Sequence, residues 1–378
     1  MQSEVTVVPT TNVNVEAFLL THYPSLIQED AINLPLCNEA HIPIWTQYTR
    51  EAGIAGYIWP VLRERLLTLR FPIQAGMSQN EFYRLATRQG VCLYEEKAGL
   101  ALTEPKKLIL IIYQSIAGQI PVICTSHRQD FVKLVQALTK KNEPIPIPDS
   151  MGACMVAGYN NWDRIHTYRK QWTAENPNNC SEEAWQAEFK RLIPQKHLYQ
   201  DRFIIVHDGP YSGIPAVNMN LEENEWRQLS LKIRLEHECT HYFTKRLFGI
   251  MRRHVFDELL ADYAGIVAAL GHYRADWFLQ FMGLEAYPNY RLGGRLQNYL
   301  DTPPGSELFT AVQSTLKRAS ANLEIFDAQA RKTEWGLRQH ALTLMAITRL
   351  NLAQLAGSEA PHLLFEALHE VEQKFEGA

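Results

Sequence analysis

Paired cysteines are missing from this 378-residue sequence. Cys37, Cys92, Cys124, Cys154, Cys180 and Cys239 are scattered without the spacing of a disulfide framework, so free thiols are expected. No apolar run reaches bilayer-spanning length, Leu108 to Tyr113 being only strand-sized, and no membrane partner is expected. Met1-Gln2-Ser3-Glu4 leads into a mixed polar stretch, with no basic segment followed by an apolar one as in a signal peptide. A cytoplasmic location is the expectation. The formal charge is only -4, so no bulk excess recruits nucleic acid or an anionic surface, and no nucleic-acid partner is expected. Internal repeats and low-complexity tracts are also lacking. What remains is a chain with 46% hydrophobic residues, able to bury a core in one large or two smaller domains.

Periodicity and punctuation divide it. The first hundred residues read as mostly helical, with helices over Asn14 to Tyr23 and Tyr57 to Arg70. A further helix runs from a Ser78/Glu81 capping box to Arg88 and is closed by Gly90. Lys107 to Tyr113 and Gln119 to Thr125 form a hairpin about Gly118, with Pro121 putting the second run at a sheet edge. A Ser126/Gln129 box opens a helix to about Lys140. Residues 142–161, rich in proline and glycine, read as a long loop. Ser181 caps a helix to Leu192, Arg202 to His207 is a strand, and Gly213 to Asn218 is a short extended segment. Beyond residue 223 nearly everything is helical: Asn224 to Phe248, Asp257 to Leu270, Tyr273 to Met282, Leu292 to Leu300, then 305–331, 334–355 and 360–375. The fold class is α+β, a small mixed sheet followed by a predominantly helical C-terminal half.

One string carries chemistry. His237-Glu238-Cys239-Thr240-His241 lies inside the predicted helix 224–248. Residues four apart share a helix face, so two imidazoles point toward one cation, while Glu238 is turned aside to act on water as general base. A catalytic zinc needs a third protein ligand and an open position. Glu258, seventeen residues after His241, can complete the set. Asp262, four further on and on the same helix face, can fix the tautomer of a ligand histidine. Cys239 faces away from the two imidazoles and reads as packing.

His237-Glu238-x-x-His241 followed by Glu258-x-x-x-Asp262 resembles the gluzincins, the thermolysin-like zinc peptidases, over roughly residues 202–270. The resemblance implies a zincin-like catalytic domain over 101–301, between a mostly helical N-terminal region (1–100) and a helical C-terminal region (302–378) packing on it. It implies one zinc ion per chain, Glu258 as third ligand and Asp262 behind the ligands. It also implies an oxyanion donor downstream of the ligand helices, with His272, Tyr273, Tyr287, Tyr290 and Arg291 as candidates. A substrate-binding edge strand would lie just before the motif helix, at Ala216, Val217 and Asn218. Hydrolysis of a peptide or protein substrate is the activity implied.

Other branches match less of the sequence. Thr244 and Leu247 stand where a metzincin has glycine and histidine, and the inverted H-x-x-E-H order is absent. An aspartate-ligand branch would promote Asp262 or Asp257, with Tyr263 and Gly265 nearby. Two further readings stay open, a zincin-like binding or regulatory protein and a zinc hydrolase of a non-peptide amide.

Overall fold

The computed structural model describes residues 14–27, 32–93, 99–250, 254–330 and 336–375. In chain order the elements are α1 (Val15–Leu19), α2 (Ile42–Ala55), α3 (Trp59–Arg65), α4 (Glu81–Gln89), β1 (Ile109–Ser115), β2 (Gly118–Thr125), α5 (Arg128–Thr139), β3 (Ala153–Asn160), α6 (Trp162–Glu175), α7 (Glu182–Leu192), β4 (Gln200–His207), α8 (Glu223–Phe248), α9 (Val255–Leu270), α10 (Ala275–Met282), α11 (Glu307–Ala330), α12 (Leu337–Ile347), α13 (Leu352–Leu355) and α14 (Ala360–Phe375). This is an α+β chain with one small mixed sheet and mostly helical content. No helix among the described residues is long and apolar enough to cross a membrane. The chain divides into two compact units, residues 32–246 and residues 1–31 with 247–378.

The sheet belongs to the unit 32–246, in the order β1-β2-β4-β3. β1 and β2 pair antiparallel about Gly118, the expected hairpin, while β2 and β4 run parallel and β3 returns antiparallel to β4. Phe203 to Val206 of β4 are all buried, the continuous apolar run of a strand covered on both faces. Phe203 and Ile205 join Trp45, Leu62, Ile123, Phe131 and Leu134 in the main core cluster. The fully buried Asp201 carboxylate accepts from Trp45 Nε1 (2.8 Å), Asn161 Nδ2 (2.6 Å) and Arg164 Nη1 (2.8 Å), tying α2 and α6 to β4.

Several expectations need correction. The stretch 142–161 is not one loop, because β3 occupies Ala153–Asn160. Its glycines read as loop signals, but Gly158 (φ +92°) sits in the irregularity between Ala157 and Tyr159 that breaks the register with β4. β2 is an inner strand, and Pro121 is tolerated because pairing with β4 begins only at Val122, so the missing N–H costs no bond on that side. α4 is capped by Asn80, whose side chain accepts from Tyr83 N, rather than by Ser78. α5 begins after His127 with no side-chain cap, so the Ser126 box does not form. The tract 57–70 splits into α3 and a 3-10 turn, and α2 and α6 went unpredicted. Ser181 does cap α7, accepting from Ala184 N.

In the other unit α9 is the central helix, with Val255 to Val267 buried without interruption, the acids Asp257, Glu258 and Asp262 included. Tyr263 OH (2.7 Å) and the Tyr273 backbone N–H (2.8 Å) both donate to Asp327, locking α9 and the turn after it to α11. The expected helix over 292–300 is a 3-10 turn, Arg295–Tyr299. The expected helix over 334–355 breaks after Ile347, and α13 starts anew at an Asn351/Gln354 capping box; residues 334 and 335 lie outside the described residues.

Candidate metal centre

α8 forms where the sequence puts it. Glu223 and Glu225 occupy its first turn and Lys245 and Arg246 its last, complementing the helix dipole, and Gly249 (φ +72°) follows. Trp226, Ser230, Ile233, His237 and Thr240 fall on one buried stripe at helical spacing. His237 is thereby held inside, and His241, one turn on, is half-buried. Their Nε2 atoms lie 3.1 Å apart with the rings nearly perpendicular, at 85°. Two ligands at zinc–nitrogen bonds of 2.0–2.1 Å in a tetrahedron stand about 3.3 Å apart. The spacing of the pair is therefore already that of two ligands on one ion.

The second nitrogen of His237 is engaged. Tyr211 OH lies 3.0 Å from Nδ1. For Nε2 to offer its lone pair, Nδ1 must carry the hydrogen and donate it to the phenol oxygen. Tyr211 is itself pinned. Its N–H donates to Ser230 Oγ (3.0 Å), and Trp226 Nε1 donates to Ile214 O (2.7 Å). The buried Arg234 guanidinium donates to the carbonyls of His207 (3.0 Å), Gly209 and Pro210, and lies over the Tyr211 ring. Arg234 is one turn before His237, so a single helix face carries both the imidazole and the clamp on the loop that supports it. A Cβ at Gly152 would come within 2.2 Å of Arg234 Nε, so the start of β3 needs glycine for this close approach.

Glu238 is half-buried beside His237. Cys154 of β3 lies within its electrostatic reach, and burial chiefly, with Glu238 adding, pushes that thiol up to about 12. Cys239 is completely buried and its thiol is driven up by desolvation, as inert packing requires. Sequence reasoning passed over Glu236, a buried acid whose pKa is raised by desolvation and whose Oε1 accepts a 2.5 Å hydrogen bond from Tyr113 OH on β1.

On α9, Glu258 and Asp262 are buried one turn apart, and Glu258 is in the first turn, where the helix dipole favours an anion. The turn Arg295–Tyr299 supplies their partners. Arg295 Nη2 lies 2.6 Å from Glu258 Oε2 and Nη1 3.2 Å from Asp262 Oδ1, while Tyr299 OH donates to Glu258 Oε2 at 2.8 Å. Burial first, and the Glu258 charge after it, raise the Tyr299 pKa, so the phenol keeps its proton; Arg295 opposes them. Both of these donors fall on Oε2. Gly294 lets this segment approach closely, since a Cβ there would come within 2.6 Å of Gly283 Cα. The fan of one guanidinium across two carboxylates is the contact in which Asp262 acts here.

His237, His241 and Glu258 form a group able to hold a metal ion: each offers one ligand atom, and the three atoms lie within 4.8 Å of one another. Two imidazole nitrogens and one carboxylate oxygen are donors suited to first-row divalent metals, zinc among them.

The other expected residues fall elsewhere. Tyr290 donates to Gly294 O and packs on Phe309, Arg291 pairs with Glu285 and donates to Gln280 O, and Lys317 sits over the Tyr287 ring. These three shape the segment that carries Arg295. His272 is exposed beyond the far end of α9, roughly 18 Å along the helix from Glu258 by the 1.5 Å rise per residue, and Tyr273 is buried against Tyr263. Arg295 and Tyr299, which do reach Glu258, were missed. Their spacing of four on a segment read as helix was the available signal. Ala216, Val217 and Asn218 are not a strand but part of the 3-10 turn Ala216–Met219, bracketed by Pro215 and left-handed Asn220, with Val217 exposed. The edge strands of the sheet are β1 and β3, and β3, the nearer of the two to α8 in sequence, has no second strand partner among the described residues.

Comparison with known proteins adds little chemistry. The profile of a family described as a family of unknown function (DUF7005) matches residues 6–359. No curated protein and no solved structure matches the chain.

Proposed function

The chain belongs to the DUF7005 family, and we propose that this member is a zinc-dependent, gluzincin-type peptidase working in the cytoplasm. The observation that carries the reading is the convergence of one ligand atom each from His237, His241 and Glu258 within 4.8 Å. A zinc ion held there would acidify water and polarise the scissile carbonyl. Glu238, about 100° around the helix from His237, takes the proton of the attacking water and delivers it to the leaving amine. Tyr299, protonated and already at the ligand carboxylate, is the donor assigned to the developing oxyanion, and Arg295 holds Glu258 in register for it. All six cysteines are free, which supports a reducing compartment.

An extended peptide is the substrate this arrangement suits. His207 N donates to Gly152 O, so strand alternation turns the N–H and C=O groups of Ala153, Met155 and Ala157 away from β4. A substrate strand can add to that edge, and Cys154 lies within electrostatic reach of Glu238.

The test is Glu238→Gln in the zinc-loaded protein, followed by peptide-library cleavage. Retained zinc with turnover down by ~10²–10⁴ is expected for loss of a general base. Retained zinc with unchanged cleavage removes Glu238 from the reaction. Bound zinc with no cleavage by the unsubstituted protein favours a binding or regulatory role, or a non-peptide amide.

A further inference from the structure

A cavity of about 470 Å³ opens along the second half of β3, within the unit 32–246. Six consecutive residues, Met155 to Asn160, line it. Alternate residues of a strand point to opposite faces, so a pocket on one face would touch only every second one. Contact with all six means that the cavity abuts the strand's edge. Its walls include Tyr83, Tyr159 and Trp162, with Leu67 and Leu138, and its volume falls in the range of small-ligand pockets.

The polar wall is selective. Thr87 and Thr139 line the cavity, and both hydroxyl hydrogens are already donated, to Tyr83 O at 2.8 Å and Val135 O at 2.7 Å. Trp162 Nε1 is likewise used, on Thr87 O at 3.3 Å. The threonine oxygens are left to accept, while Lys141 and the Asn160 amide, which also line the cavity, can donate, so it suits an aromatic side chain ending in a hydroxyl, which does both. From Cys154, whose thiol feels the Glu238 charge, to Ala157 at the cavity is about 10 Å of strand.

We propose that this cavity is an anchor site for a tyrosine side chain of an extended peptide laid along β3, three to five residues from the bond that is cut. The strand pairing fixes register, the rings stack on the phenol, and Thr87 or Thr139 accepts its O–H. The inference rests on the peptidase reading for its distance from the reaction, but its binding step stands apart from catalysis.

The test uses the full-length Glu238→Gln protein and fluorescein-labelled ten-residue peptides of an alanine–threonine scaffold, with one tyrosine stepped through every position. Fluorescence anisotropy is expected to give at least tenfold tighter binding for tyrosine than for the all-scaffold peptide, with phenylalanine intermediate. The Thr87→Arg substitution, which fills the cavity, should abolish that preference, and Ala157→Pro, which removes an outward N–H, should weaken all peptides alike. With the unsubstituted enzyme, cleavage should fall three to five residues from the tyrosine. Equal binding of tyrosine and scaffold peptides, or a preference that survives Thr87→Arg, overturns the anchor. Tyrosine-dependent binding without any cleavage keeps the anchor and removes the peptidase.

Discussion

The paired imidazoles of α8 and the carboxylate of α9 are held in place by different physics. His237 rests on neutral hydrogen bonding: a phenol at its outer nitrogen, with that phenol's loop tied by backbone carbonyls to Arg234. Glu258 rests on charge: one guanidinium shared with Asp262 and one phenol on the same oxygen. A neutral imidazole must keep its lone pair and the correct tautomer, which an oriented hydrogen bond supplies. A buried carboxylate must be kept ionised, which a neighbouring guanidinium favours.

The contrast can be broken at four points. The largest effect is expected for His237→Ala, which removes one of the three proposed ligands: zinc content measured by plasma emission should fall from about one per chain to near none. Next comes Arg295→Leu. Taking this guanidinium from the buried Glu258 and Asp262 should cost ~3–5 kcal/mol in urea unfolding of the metal-free protein, whereas Arg295→Lys, which keeps the charge but loses the fork, should cost less. Tyr211→Phe should leave unfolding nearly unchanged yet weaken zinc ~10–100-fold in chelator competition, the usual penalty for losing a partner behind a ligand histidine. A similar loss in stability and in affinity would mean that Tyr211 merely packs.

The smallest effect uses a histidine that takes no part. His41, at the start of α2, is buried beside Arg164 and Arg202, and desolvation first, then those charges, lower its pKa to about 3. The unfolded chain therefore takes up this proton first. Stability contributed by neutral His41 should be present above pH 6.5 and decline as pH falls toward 3, by about 1.4 kcal/mol for the first full unit below the unfolded pKa. His41→Gln should flatten that limb of a stability–pH curve of the metal-free protein. An unchanged limb would assign the acid sensitivity elsewhere.

The two helices that carry the candidate ligands were legible because their signals are local. Acids at the head of α8, bases at its tail, the buried stripe from Trp226 through Thr240 and the largely apolar α9 all lie within single windows of sequence. The spacings His237/His241 and Glu258/Asp262 needed nothing else. What supports the ligands was not legible, for reasons of distance in sequence and of turn chemistry. Tyr211 reaches His237 from a 3-10 turn 26 residues earlier, and Arg295 and Tyr299 reach Glu258 from a segment 37 and 41 residues later. β3 was hidden by its glycines, one required by Arg234 and one by a bulge, and proline with left-handed Asn220 turned 216–219 away from the strand that the resemblance implied.

The most direct test of the central claim is zinc K-edge X-ray absorption on the protein loaded with one equivalent of zinc. The account predicts a first shell of nitrogen and oxygen at about 2.0–2.1 Å with the scattering of two imidazoles, reduced to one in His241→Ala. A sulfur shell near 2.3 Å, or a spectrum unchanged by that substitution, would contradict it.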